Sequence, residues 1–193
     1  MKPEMLDQLT TQEKQTLLQL ARQALEMAVR DQSLPDLQLN ILSPALKQPG
    51  ATFVTLTRRG ELRGCVGALE PYAPLAEDVR EHAIAAALQD YRFPPVRPEE
   101  LSEIQIEISR LTLPKDLEYD LPGDLPSLLR PHLDGVTLID GWRRATFLPQ
   151  VWEKLPNPID FLGHLCQKMG AAPDLWRTRK LRVQTYQVEE FHE

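Results

Sequence analysis

The chain has 193 residues, of which 42% are hydrophobic, and a formal net charge of −6 at pH 7. Its length and apolar content suit a single globular domain over residues 1–193. The negative charge argues against nucleic-acid binding, which needs Lys and Arg to neutralise phosphates. No apolar run approaches the roughly 20 residues of a membrane helix, and the N-terminus lacks a signal-peptide core. We therefore expect a cytoplasmic protein with no membrane partner.

The first predicted elements are a helix and a β-hairpin. Thr10 and Glu13 match a capping box, and apolar residues at helical spacing extend the predicted helix over residues 10–30. Residues 51–57 and 61–66 have the composition of two strands, and a short glycine-containing loop separates them. This arrangement predicts a hairpin.

A second helix and a separate strand follow. Pro74 suits a first helical turn, and small apolar residues continue the helix to Leu88. Isoleucines alternate with polar residues over 104–108, which predicts a strand with one core face. The alternation fails at Arg110, which predicts a bulge or a bend. The segment 114–126 is rich in Asp, Pro and Leu, and we expect it to connect two lobes.

The C-terminal part contains another hairpin, a helix and a strand. Residues 136–139 and 144–148 flank an Asp-Gly turn signal. Asn157 is a helix cap, and Gly170 ends that helix. Residues 181–188 are predicted to form the last strand. Because no regular βαβ alternation occurs, we predict an α+β fold of antiparallel sheets with flanking helices.

One cysteine, Cys65, lies between glycines in the sequence Leu62-Arg63-Gly64-Cys65-Val66-Gly67. Glycines weaken a strand, and they often mark a close approach by a ligand or another backbone. Alternation places Arg63 and Cys65 on one face, where a guanidinium favours a thiolate. Two interpretations stay open. Cys65 is either a reactive thiol or a buried packing residue, and a bulge at Gly64 would rotate it away from Arg63.

The second cysteine, Cys166, lies on the apolar stripe of its predicted helix and is expected in the core. No CxxC spacing indicates a disulfide framework or a zinc cluster. His164 and Cys166 do not face each other on a helix, so they are a poor metal pair. The chain also lacks P-loop, Rossmann, GxSxG and HExxH patterns. We expect neither a metal nor a cofactor.

Eight sequence segments occur together in a recognisable order: residues 53–56, 62–67, 69–71, 77–79, 90–95, 106–109, 146–152 and 161–166. This set resembles the AMMECR domain family, in the branch called AmmeMemoRadiSam system protein A. The chain departs from the family pattern at His82, where Asn is frequent, at Leu88, where Phe is frequent, and at Tyr91, where small residues or Pro are common. The resemblance implies a larger and a smaller lobe, and it implies a Memo-like protein and a radical SAM protein as partners.

Polar residues near the cysteine hairpin are candidates for a cleft. The predicted catalytic residues are Cys65, Arg63 and Glu107. The predicted lining of a substrate or partner groove is Gly64, Gly67, Glu70, His82, Asp90 and Arg92. In this hypothesis the arginines orient a small anionic substrate, and His82 serves the thiol as a base. The structural alternatives are a hydrogen-bonded helix histidine, a solvated strand face at Glu107, and a loop pinned by Asp90 and Arg92.

Two functions are therefore weighed. The first is a small thiol-centred enzyme or catalytic accessory that uses Cys65. The alternative is a non-catalytic adaptor that binds a partner protein in the hairpin groove from Leu62 to Gly67. The reactivity of the Cys65 thiol distinguishes them.

Overall fold

The computed structural model describes residues 8–193. The chain divides into two compact units. The first contains the residues up to Leu111 together with Glu189–Glu193, and the second is Thr112–Val188. The segment 114–126, which was expected to connect lobes, lies within the second unit, a few residues beyond the boundary.

The described residues form helices and strands that are interspersed along the chain. The helices are α1 Thr11–Val29, α2 Pro44–Lys47, α3 Leu75–Leu88, α4 Leu125–Leu128, α5 Pro158–Lys168 and α6 Leu175–Thr178. The strands are β1 Pro49–Arg58, β2 Glu61–Gly67, β3 Ala73–Pro74, β4 Ile104–Leu111, β5 Lys115–Asp116, β6 Gly135–Asp140, β7 Arg143–Phe147, β8 Arg182–Tyr186 and β9 Val188–His192. Short 3-10 helices cover Leu39–Ile41, Pro98–Glu103, Pro122–Asp124 and Pro149–Glu153.

The sheet of the first unit has the strand order β2-β1-β4-β9, and β3 pairs with the start of β1. Antiparallel pairing joins β1 to β2 and to β4. One face of the sheet is apolar and packs against α1 and α3 in a single core. That core includes Val54, Leu56, Ile106 and Ile108, all fully buried. The opposite face carries the polar residues of the alternation.

The sheet corrects one expectation about the strand at 104–108. The pairing of β4 with β1 continues without interruption to Leu111, so no bulge occurs at Arg110. The alternation fails there because Leu111, which lies on the same face as Ser109, is buried as Ser109 is, so this face is also covered at the end of the strand. The bulge lies in β2 instead, where the register shifts between Leu56 and Thr57 and leaves Arg63 as the extra residue.

The sheet of the second unit has the order β5-β8-β6-β7. Its core includes Trp152, whose ring stacks on Phe161 at 3.7 Å between centroids. The indole Nε1–H of Trp152 donates to the carbonyl of Asp134 at 2.7 Å. Helix α5 begins where the sequence predicts, because the Asn157 side chain accepts from the amide of Ile159.

The strand predicted over 181–188 occurs as β8, and a further strand that the sequence did not predict, β9, follows it. The chain leaves β8 at Gln187, whose amide donates to the Thr112 hydroxyl and whose carbonyl accepts from the Thr112 amide. The following strand, β9, then joins the first sheet. The predicted α+β class, with antiparallel sheets, flanking helices and units of unequal size, is confirmed. Within residues 8–193, no helix has the length and apolarity needed to cross a membrane.

Candidate functional site

Cys65 lies in a row of three side chains across the first sheet. Thr55 of β1 stands opposite Cys65 of β2 on one side and opposite Glu107 of β4 on the other. All three side chains are half-buried, on the face that does not pack against α3. The hydroxyl of Thr55 donates to the Cys65 sulfur, with Oγ1 and Sγ 3.3 Å apart. The row therefore joins a thiol, a hydroxyl and a carboxylate.

The backbone of Cys65 is held from outside the sheet by two side chains. Because β2 is an edge strand, the Cys65 amide and carbonyl that point away from β1 have no strand partner. The Cys65 amide donates to Oδ2 of Asp90 at 2.8 Å, and its carbonyl accepts from Nη2 of Arg92 at 3.1 Å. Since both groups point outward, Cys65 and Thr55 form a non-hydrogen-bonded pair, in which side chains approach most closely.

Asp90 and Arg92 also bind each other. Arg92 donates from Nε to Oδ1 of Asp90 at 2.9 Å and from Nη2 to Oδ2 at 2.6 Å. Asp90 is only 6% exposed. The Arg92 guanidinium, aided by the amides of Cys65 and Arg92, holds the pKa of Asp90 well below its usual range. The bonds of Arg92 use Nε and Nη2, which leaves Nη1 as a donor for a further ligand.

The two glycines of the motif permit close packing. A Cβ built on Gly64 would lie 2.1 Å from the carbonyl oxygen of Ala86 in α3. A Cβ on Gly67 would lie 2.3 Å from the carbonyl oxygen of Thr52 and 2.5 Å from Cγ of Phe53, both in the paired strand β1. The expected close approach by a second backbone thus occurs at both glycines, from helix α3 of the same unit at Gly64 and from strand β1 at Gly67.

Arg63 is engaged elsewhere. Its Nε and Nη2 each donate to a different carboxylate oxygen of Glu100 at 3.0 Å. It also donates from Nη1 to the carbonyl of Pro94 at 2.9 Å and from Nη2 to that of Pro95 at 3.3 Å. Hydrogen bonding from Arg63 lowers the pKa of Glu100 to about 2. Arg63 therefore ties β2 to the proline loop, while Arg92 is the arginine that binds Cys65.

His82 is on α3 and Glu70 is in the loop after β2, so neither belongs to the row. Nδ1 of His82 lies 3.2 Å from Oδ2 of Asp78. The two atoms are close enough for an ion pair, but they are not aligned for a hydrogen bond. The Tyr72 ring contacts His82 edge-on at 6.1 Å. Because α3 packs against the face opposite the Cys65 side chain, the fold does not bring His82 to the thiol. Glu70 is exposed in the loop after β2.

Cys166 is fully buried in α5, and burial raises the pKa of its thiol. Over residues 8–193, no cluster of three or more His, Cys, Asp or Glu side chains is arranged to hold a metal ion. The sequence-based prediction did not include Thr55, which contacts the sulfur directly. Hairpin register could have found it, because a residue opposite a cysteine on the same face is a cross-strand neighbour.

Comparison with known proteins places the chain in a family. A family model described as AMMECR1 matches residues 18–191. A protein of Methanothermobacter thermautotrophicus is 42% identical over 189 residues, which cover 96% of this chain and 96% of that protein. A protein of Methanopyrus kandleri is 38% identical, with 97% of this chain and 91% of that protein covered.

A solved structure agrees with these matches. The crystal structure of an uncharacterised protein from Pyrococcus horikoshii has a TM-score of 0.80 and 31% sequence identity. The alignment covers 96% of this chain and 93% of that chain. The family match and the similarity of the whole fold lead to one conclusion: this chain belongs to the AMMECR1 family.

Proposed function

We propose that this protein is a small thiol-dependent enzyme or catalytic accessory in which Cys65 is the reactive group. We further propose that it acts in the cytoplasm together with a Memo-like protein and a radical SAM protein, the partners that the sequence resemblance implies. The observation that carries the proposal is the row Cys65, Thr55 and Glu107, in which the sulfur accepts a hydrogen bond.

The row has the chemistry of a nucleophilic site. A thiolate is a strong nucleophile, and a carboxylate on the same face can accept or return a proton. Cys65 and Glu107 stand on strands either side of β1, so their Cα atoms are about 10 Å apart. Thr55 lies between them in the row. The proposed roles are nucleophile for Cys65 and acid or base for Glu107.

Arg92 is the proposed anchor for a small anionic substrate. Its guanidinium is fixed by Asp90 and by the Cys65 carbonyl, so little side-chain entropy is lost on binding. Its Nη2 binds the backbone of Cys65 itself. Arg63 has no comparable role in the proposal, because Nε, Nη1 and Nη2 all donate to Glu100 or the proline loop.

The alternative function is a protein-binding adaptor. Exposed apolar side chains near the hairpin favour it, since Tyr91 is 96% exposed and Leu62 is 44% exposed. Addition of a partner strand at Cys65 is opposed by Asp90 and Arg92, which already occupy the outward backbone groups. An adaptor would therefore use side-chain contacts rather than strand pairing at this position.

Thiol labelling and complementation test the proposal together. Native protein is treated with iodoacetamide and mapped by peptide mass spectrometry, and we expect Cys65 to react while buried Cys166 stays protected. Cys65→Ala and Glu107→Gln are then assayed in the organism and in a mixture reconstituted with the Memo-like and radical SAM proteins. Glu61→Gln, which alters an exposed carboxylate at the start of β2, is the matched control.

The outcomes separate enzyme from adaptor. Loss of function and turnover in Cys65→Ala and Glu107→Gln, with folding and partner binding retained, supports the thiol enzyme. Loss of partner binding in both variants supports the adaptor. Full complementation by Cys65→Ala would overturn the proposed enzyme. We expect Arg63→Ala to act differently, by lowering stability, because it leaves Glu100 without its two-point partner.

A further inference from the structure

Thr55 is the side chain that contacts the Cys65 sulfur, and the fold fixes its position. It lies on β1, which is paired on both sides, with β2 and with β4. A β-branched side chain in a strand has few χ1 conformers. The hydroxyl therefore has little freedom, and the 3.3 Å distance from Oγ1 to Sγ is set by the register Thr55 opposite Cys65.

Basic and acidic side chains both lie near Cys65. Arg92, from the loop after α3, is basic, whereas Asp90 in the same loop and Glu107 on β4 are acidic. Asp90 is largely neutralised by its bonds to Arg92. Among these neighbours Thr55 is the one with a donor directed at the sulfur itself.

The hydrogen bond also has a definite direction in the reactive state. A thiolate has no proton, so it can only accept, and the Thr55 hydroxyl must donate. Hydrogen bonds to a charged group are stronger than those to a neutral one. We infer that Thr55 is a positioning residue that orients the Cys65 side chain and stabilises its thiolate. This inference rests on the proposed function, because it concerns the same cysteine.

The test is the pH profile of Cys65 alkylation in full-length protein. Thr55→Val keeps the β-branched shape of the side chain and removes its hydroxyl. Thr55→Ser keeps the hydroxyl and removes the methyl group. We expect Thr55→Val to raise the pH of half-maximal labelling by about one unit, so that labelling near neutral pH slows roughly tenfold. Thr55→Ser should label close to the wild-type rate. Circular dichroism melts show whether each variant folds.

A wild-type labelling profile for Thr55→Val would overturn the inference. Equal slowing in Thr55→Val and Thr55→Ser would also overturn it, because packing rather than the hydroxyl would then be responsible. Failure of this inference can be distinguished from failure of the proposed function, because the proposed function is decided by complementation with Cys65→Ala. Should Cys65→Ala complement fully while Thr55→Val still shifts the profile, the thiol enzyme fails and the role of Thr55 at the sulfur stands.

Discussion

Replacing Gly64 with alanine tests the closest approach between the first sheet and α3. The added Cβ would lie 2.1 Å from the carbonyl oxygen of Ala86 and 3.0 Å from its carbonyl carbon. Ordinary van der Waals contact begins near 3.4 Å, so β2 and α3 must move apart by more than about one ångström in a close-packed interior. The obstacle is helix backbone, which cannot rotate away as a side chain can.

The expected cost follows from this clash. Overpacking a core costs about 1–3 kcal/mol and sometimes more, and a clash with backbone belongs at the upper end, near 3 kcal/mol. For a chain of this size, 1 kcal/mol shifts Tm by about 2–4 °C. We therefore expect Gly64→Ala to lower Tm by roughly 6–12 °C. Among the described residues, the glycines with positive φ are Gly60, Gly141 and Gly170. Gly64 is not one of them, so alanine there causes no backbone strain and the penalty comes from packing.

Thermal and urea melts of Gly64→Ala and Gly163→Ala decide the matter. Gly163 lies in α5 of the second unit, and a Cβ there would be 3.5 Å from the carbonyl oxygen of Pro173, an ordinary contact. Alanine is favoured over glycine within a helix by about 1 kcal/mol, so Gly163→Ala should be neutral or stabilising. An unchanged midpoint for Gly64→Ala would refute the packing argument.

Three further predictions concern buried polar and aromatic groups. Asp90→Asn should destabilise the protein by about 1.5–3 kcal/mol at pH 7. Because the pKa of Asp90 is lowered in the fold, the ionised carboxylate stabilises the folded state at pH values above its pKa in the unfolded chain, near 3.9. This stabilisation is lost as the pH falls. Urea melts at several pH values should thus show the gap between wild type and variant narrowing below about pH 4. Thr52→Val removes a hydroxyl that donates to buried Asp78 at 2.6 Å, and equilibrium unfolding should show a loss of about 1–3 kcal/mol. Trp152→Ala should cost about 3–5 kcal/mol by denaturant titration, while Trp142→Ala, at a residue that is 91% exposed, should change stability by less than about 0.5 kcal/mol; equal losses would contradict the described core.

Local structure could be predicted from the sequence to a large extent. The capping box at Thr10 and Glu13 forms as expected, and α5 begins after Asn157. The hairpin of β1 and β2 has its turn at Arg59 and Gly60, both with positive φ. These features depend on residues within a few positions of each other, so side-chain hydrogen bonding and backbone preference are sufficient to specify them.

The partners of the site residues could not be predicted in this way. By sequence alone, Arg63 was placed beside Cys65 through strand alternation, yet a bulge and the carboxylate of Glu100 direct it to the proline loop. Arg92 and Asp90 reach Cys65 from the loop after α3, which the edge position of β2 leaves accessible. A one-residue register shift changes every such neighbour.

The sequence by itself determined the family resemblance, the α+β class and the cysteine that the candidate site contains. Only the tertiary structure decided that Thr55 and Glu107 form one row with Cys65, and that His82 lies behind the opposite face of the sheet. The physical reason is that strand order and register arise from burying the apolar face of the sheet against α1 and α3. The strand order and register then place polar residues that are distant in the sequence side by side on the opposite face of the sheet.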